Sequence, residues 1–243
     1  DAKKQIFLGH RRLSIIDLSH EACQPMTSFN KRHVIVFNGE IYNFKTVGKK
    51  LQLNFNEVRS DSRVLVEAIS KWGIKKTLRE VNGMFAFAIW DKEENHLKIV
   101  TDHLSKKPIY WMNDEKFFAF GSELKALKIV PSFNKTLSPN SINEYLCSGF
   151  ISAPKTIYNN VYKLGASQIL TIKFNEEPFI SDYTSSSKEN KNNALFNKSN
   201  YFESFEEIFS NAVKDRLISD VPIGCFLSGG LDSSLVTYYA QKF

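Results

Sequence analysis

The 243 residues, 42% apolar and 24% charged, have the composition of a soluble globular protein long enough for more than one domain, which excludes a disordered polypeptide and a miniprotein scaffold. The 32 Lys and Arg against 26 Asp and Glu leave a net charge of +6, but the lysines are scattered among Asn, Ser and Glu without forming a stripe, so no nucleic-acid partner is indicated. Cys23, Cys147 and Cys225 form an odd set without C-x-x-C spacing, which excludes a disulfide framework and a zinc knuckle and fits a reducing, cytoplasmic compartment.

In chain order, the first two-thirds reads as short β-runs between turn residues. Strands are predicted at Ile6–Leu8, Leu13–Asp17, Val34–Phe37, Met84–Trp90, Leu97–Thr101, Phe117–Phe120 and Gln168–Phe174, each rich in β-branched or aromatic residues and suited to antiparallel sheets. One helix interrupts them, with Val64, Leu65, Ala68, Ile69 and Trp72 on one face and Ser60 or Asp61 as its N-cap. From 184 to 200 the chain is Ser, Asn and Lys with little to bury, and reads as a linker or exposed loop between domains 1–183 and 201–243. Beyond it, Phe202, Phe205, Ile208, Phe209, Ala212, Val213 and Leu217 mark an amphipathic helix, and Ile223–Leu227 has the length of a buried strand. Helix, strand, loop and helix in this order open an α/β domain with a parallel sheet. The chain starts at Asp1 and its last residues read as a helix cut short, so a piece of a longer protein is expected. No apolar run approaches the ~20 residues that a bilayer crossing needs.

Chemistry begins at Ser228-Gly229-Gly230-Leu231-Asp232-Ser233-Ser234. Glycines between a strand and a helix let backbone N–H groups wrap an anion, and the helix start adds its positive end. The seven-residue string lacks the Lys of a Walker loop. It resembles the pyrophosphate loop of ATP-pyrophosphatase ligases. That resemblance implies ATP and Mg²⁺, with Ser228, Gly229, Gly230, Asp232, Ser233 and Ser234 around the pyrophosphate, Asp232 toward the metal, and the Leu227 backbone facing the adenylate.

Three upstream segments acquire meaning beside that loop: Arg12-Leu13-Ser14-Ile15-Ile16-Asp17, Asn38-Gly39-Glu40-Ile41-Tyr42-Asn43 and Ser60-Asp61. Alone, Asn38-Gly39 is a hairpin signal, Asp61 a helix cap and Arg12 a surface charge. Together with Gly83–Ala88, Asp102-His103-Leu104, Pro108-Ile109-Tyr110 and Ser122–Leu127, and in that order, they resemble the class II glutamine amidotransferase domain of glutamine-dependent asparagine synthetases. The resemblance implies an α+β amidotransferase fold of N-terminal-nucleophile type, stacked antiparallel sheets with flanking helices, followed by the start of an α/β ATP-pyrophosphatase domain. It implies a glutamine site of Arg12, Leu13, Ser14, Ile15, Ile16, Asn38, Gly39, Glu40 and Asp61. Asn38 and Gly39 would form the oxyanion hole, Arg12 would hold the carboxylate, and Asp61 and Glu40 would make the ammonium and amide contacts. The implied partners are glutamine, aspartate and ATP, without nucleic acid or membrane, in a homodimer. His10 and His103 receive no catalytic role, because the implied base is the N-terminal amine.

The resemblance also implies a nucleophilic Cys at residue one, several tens of residues before the Arg-Leu-Ser motif. Eleven residues precede Arg12 and none is Cys, so the chain as written is expected not to hydrolyse glutamine. Arg63, Thr101, Ser105 and Lys163–Ser167 depart from the family pattern. Asparagine synthesis from aspartate through β-aspartyl-AMP is the leading expectation. The alternatives are a β-lactam synthetase-like or surface-polysaccharide ligase acting on another carboxylate, and a pseudo-amidotransferase.

Overall fold

The computed structural model describes residues 6–114, 117–174, 176–184 and 201–243. After a 3-10 turn at His20–Ala22, β1 (Met26–Thr27) pairs with β2 (His33–Ile41), and α1 (Phe44–Leu51), α2 (Asp61–Trp72) and α3 (Ile74–Glu80) follow. The chain then forms β3 (Gly83–Asp91), β4 (His96–Thr101), β5 (Tyr110–Asn113) and β6 (Phe118–Gly121), with α4 (Leu124–Leu127) and α5 (Pro139–Ser148). Strands β7 (Tyr162–Lys163), β8 (Gln168–Lys173) and β9 (Phe179–Asp182) complete it before α6 (Tyr201–Asp215) and α7 (Leu231–Ala240).

The strands make two antiparallel sheets, one in the order β1-β2-β3-β4-β8-β9 and one in the order β6-β5-β7. Both faces of the larger sheet are covered, which is why β3 is apolar at nearly every position. Ile35, Phe37, Phe85, Phe87 and Ile89 point to one side and meet Val64, Leu65 and Ala68 of α2 with Val47 and Leu51 of α1. Val36, Ala86, Ala88 and Trp90 point to the other and meet Trp111, Phe118 and Phe120 of the smaller sheet. Stacked antiparallel sheets with flanking helices are the expected α+β arrangement. Ser60 caps α2, its hydroxyl accepting from the Arg63 N–H at 3.2 Å.

Three expected strands are not formed among the described residues: Ile6–Leu8, Leu13–Asp17 and Ile223–Leu227 have strand composition but join neither sheet. Phe226 is accordingly 99% exposed. The α6 helix ends at Asp215, so Leu217 lies beyond it, and α7 packs on α6 with Phe209 and Tyr239 ring centroids 5.4 Å apart. Residues 185–200 of the expected linker lie outside the described residues.

Candidate functional site

Asn38 and Gly39 lie inside β2 rather than in a hairpin turn, and the strand's period-two geometry explains what they offer. Phe85, opposite Gly39 on β3, has its N–H donated to the Asp102 carboxylate at 2.9 Å and its carbonyl accepting from the Asp102 N–H at 2.9 Å. Both groups of Phe85 therefore face β4, and the Gly39 peptide groups face the opposite way. On that outward side Ile35 pairs with β1. Phe37 is met by a side chain: its N–H donates to Gln24 Oε1 at 2.5 Å and its carbonyl accepts from Gln24 Nε2 at 3.1 Å. Ile41 donates its N–H to Asp61 Oδ2 at 3.0 Å. Between these partners, the Gly39 N–H is turned toward a cavity of about 450 Å³ whose wall includes Gly39 itself.

The close approach of strands here requires glycine. Gly39 has φ +153°, and a Cβ on it would lie 2.1 Å from the Met84 carbonyl oxygen, while one on Gly83 would lie 2.2 Å from that of Glu40. Gln24, for which the sequence suggested no role, substitutes for a neighbouring strand. Gln24→Leu is expected to lower stability by about 2 kcal/mol, measured by urea unfolding, because two backbone groups of Phe37 lose their partner.

The cavity carries both signs of charge. Arg11, Arg12 and Lys107 share its wall with Glu40, Asp61 and Glu123, and Asn38, Ser62 and Ser122 add neutral polar groups. A zwitterionic ligand fits such a lining better than a simple anion or cation. Burial pushes the Asp61 carboxyl up to about 6, against hydrogen bonds from the Ile41 and Ser62 N–H groups, and the Glu40 charge adds to the rise. Burial also raises Glu40, with Lys107 opposing. The Asn38 side-chain amide reaches Ser122 Oγ at only 3.5 Å, so it is weakly held.

Arg12 is anchored within its own loop. Its guanidinium donates to the carbonyls of Ile16 at 2.9 Å, Ser19 at 3.0 Å and Asp17. Arginine has five N–H donors, so two remain for a ligand. Leu13, Ile15 and Ile16 also line the cavity, but Ser14 does not. His10 lies on the wall, and burial lowers its pKa, with the Phe37 backbone opposing. His103 is exposed, its ring edge against Tyr183. All three cysteines are exposed and none lines this cavity.

Lys107 reaches the wall on a loop organised by Asp102, which is 2% exposed. The Asp102 carboxylate accepts N–H bonds from Phe85, Leu104, Lys106 and Lys107. The departures from the family pattern are structural. Arg63 donates to the Thr27 carbonyl at 2.5 Å and covers the Phe29 ring, and Thr101 bonds the Gly165 carbonyl at 2.5 Å. Ser105 sits at φ +51°, in the left-handed region that glycine occupies without strain. Ser105→Gly is expected to raise stability by about 1 kcal/mol in the same unfolding assay.

The expected phosphate loop stands at the start of α7. Gly229 has φ +83°, and Gly230 is the N-cap with no side chain bonded to the first-turn N–H groups, which leaves those donors available to an anion. Ser228 and Ser233 hydroxyls lie 3.0 Å apart across the loop. Asp232 is in the first turn and exposed, as is Leu227. The donor set suits a polyphosphate with its cation, though the loop follows an unpaired segment and not the strand expected.

Comparison with known proteins accords with both halves. The model of the glutamine amidotransferase domain family matches residues 2–184, and that of the asparagine synthase family matches residues 204–243. A putative glutamine-hydrolyzing asparagine synthetase 2 of Methanocaldococcus jannaschii is 35% identical over 98% of this chain and 48% of its own length. Glutamine-hydrolyzing asparagine synthetase 3 of Bacillus subtilis is 31% identical over 97% of this chain and 38% of its own length, so the chain spans half or less of these relatives. A solved B. subtilis glutamine phosphoribosylpyrophosphate amidotransferase aligns at TM-score 0.49 and 19% identity, over 69% of this chain and 33% of that one. With an amidotransferase domain over three-quarters of its length and an asparagine synthase segment after it, the chain belongs to the asparagine synthetase family.

Proposed function

We propose that the intact protein carrying this chain makes asparagine from aspartate, using ATP and ammonia released from glutamine. The observation that carries this reading is the presence in one chain of a two-signed cavity with an outward backbone N–H at Gly39 and, downstream, a glycine–serine loop at an uncapped helix start. Glutamine would place its carboxylate toward Arg12, its ammonium toward Asp61 and Glu40, and its amide oxygen between the Asn38 amide and the Gly39 N–H. Those two donors would stabilise the oxyanion that develops when the amide is attacked. Leu13, Ile15 and Ile16 would close the wall.

On the other half, Ser228, Gly229, Gly230, Ser233 and Ser234 would hold the ATP phosphates, with the Leu227 backbone toward the adenylate. Mg²⁺, near Asp232, would supply neutralising charge for the departing pyrophosphate. Activation of the aspartate β-carboxylate as an adenylate releases pyrophosphate, and ammonia then displaces AMP to give asparagine. The protein would work in the cytoplasm as a homodimer, without nucleic acid or membrane. Among the described residues no helix is long and apolar enough to cross a bilayer.

The test is pyrophosphate release by the purified intact protein with glutamine, ATP and Mg²⁺. Release that depends on aspartate and matches asparagine formed is the expected result. Release with another carboxylate in place of aspartate would move the protein to the β-lactam synthetase-like or surface-polysaccharide ligases. Synthesis from free ammonia but never from glutamine would mark a pseudo-amidotransferase half.

A further inference from the structure

After α6 the chain does not leave the amidotransferase side of the molecule. Asp220 Oδ2 accepts the Asp17 N–H at 2.7 Å, and the Asp220 N–H donates to the Ile15 carbonyl at 3.0 Å. Ile218 and Ile15 both pack against the core that includes Ile16, and the Arg216 guanidinium lies 4.8 Å from the centroid of the Tyr42 ring. Asp215 accepts from the Asn82 side chain at 3.4 Å. Arg12 in turn donates to the Ile16 and Asp17 carbonyls. The stretch 15–17, with Asp17 at φ +56°, is therefore held by both Arg12 and Asp220. Asp220 stands eight residues before Ser228, with neither helix nor strand between them.

We infer that Asp220 is a positioning residue for the amino-acid site: it fixes the Ile15–Asp17 backbone, which fixes the Arg12 guanidinium, and so couples ligand affinity to the segment leading into the phosphate loop. The inference rests on the glutamine-binding reading above and adds to it a connection between the two halves. The physical logic is geometric. Arg12 meets its carbonyl acceptors only while that backbone stays put, and the orientation of its two remaining N–H donors depends on those bonds. Without Asp220 the buried Asp17 peptide loses its acceptor and the loop loses its outer tether. Coupling of this kind is reciprocal, so an occupied amino-acid site also resists displacement of the 215–220 segment.

The experiment uses the intact protein and two variants, Asp220→Ala and Asp220→Asn. Asp220→Ala is expected to raise the KM for glutamine about tenfold in a glutaminase assay without ATP. Its kcat, and the rate and ATP KM of synthesis from free ammonia, should change less than about twofold, since the scaffold and phosphate loop are untouched. Asp220→Asn, which keeps an acceptor oxygen, should recover most of the affinity. Amide exchange in the absence of any ligand should show loss of protection at Asp17 in the alanine variant alone. An unchanged glutamine KM in Asp220→Ala, or an equal loss of the ammonia-dependent rate, overturns the inference. Failure of the wild-type protein to bind or turn over glutamine overturns the reading of the site instead, and the exchange result at Asp17 still decides whether Asp220 holds the loop.

Discussion

Asn38→Ala in the intact protein is expected to cut glutamine-dependent synthesis by about 10²–10³-fold while leaving synthesis from free ammonia unchanged. The Asn38 side chain reaches the cavity from β2, and its long 3.5 Å contact with Ser122 leaves its N–H groups free to turn toward a developing oxyanion. On the proposed reading its removal would take one of two donors from that oxygen and leave the Gly39 N–H in place. The effect belongs in kcat more than in KM, because the oxygen is most negative in the transition state. Gly39 itself is a poor probe, since any side chain there meets β3 backbone at 2.1 Å and would disturb the strand pairing. Paired rates with glutamine and with ammonium chloride measure the expected split. A proportional fall in both would show that Asn38 supports the fold and not the oxyanion.

A second large effect belongs to Asp61. Its carboxyl, raised from 3.8 to about 6 by burial, takes up a proton more readily in the folded state than in the unfolded chain. The sign follows directly. Its contribution to stability is most favourable below the unfolded pKa and is lost as pH rises through 6, leaving a cost of about 3 kcal/mol at pH 7. His10, His33 and His96, lowered by burial, slope the other way across the same range, so wild-type stability alone does not isolate Asp61. The comparison with Asp61→Asn does. At pH 7 the variant is expected to be more stable by about 2 kcal/mol, after allowance for one weakened acceptor to the Ile41 and Ser62 N–H groups. That advantage should close as pH falls toward 4, read from urea midpoints at each pH. The same variant should lose most affinity for glutamine, and its kcat/KM should lack the acid limb near pH 6 that an ionised partner for the ammonium imposes on the wild type. Equal pH dependence in the two proteins would refute the assignment. The Asp61 carboxylate would thus oppose stability at the position proposed for recognition.

Strands and helices were legible in the sequence where composition and partner coincided. The stripe Val64, Leu65, Ala68, Ile69, Trp72 behind Ser60 became α2, and Met84–Trp90 became β3. Helix α5 was less legible because its apolar set is short, Ile142, Tyr145 and Leu146, and lies among Asn, Glu and Ser; in the structure Ser141 is the one buried residue of the helix. Helix α1 contains Gly48, a poor helix former that is needed because a Cβ there would lie 2.5 Å from the Phe55 ring. Leu13–Asp17 has strand residues, yet Arg12 and Asp220 take its backbone groups before any strand can. The residues proposed for glutamine were readable as ordered motifs, and the cavity gathers them all except Ser14. Gln24, Lys107 and Asp102 acquired their roles only in three dimensions, since each acts through hydrogen bonds or proximity to residues distant in the chain.

The Asp102 carboxylate has a consequence for motion. Four backbone amides, two of them adjacent at Lys106 and Lys107, share that single acceptor, and one of the four belongs to Phe85 in the central strand. Such a loop does not fray residue by residue. It is fastened at one point and either holds or releases as a unit, so the Lys107 charge would enter and leave the cavity in one cooperative event whose cost is set by a buried anion far from solvent.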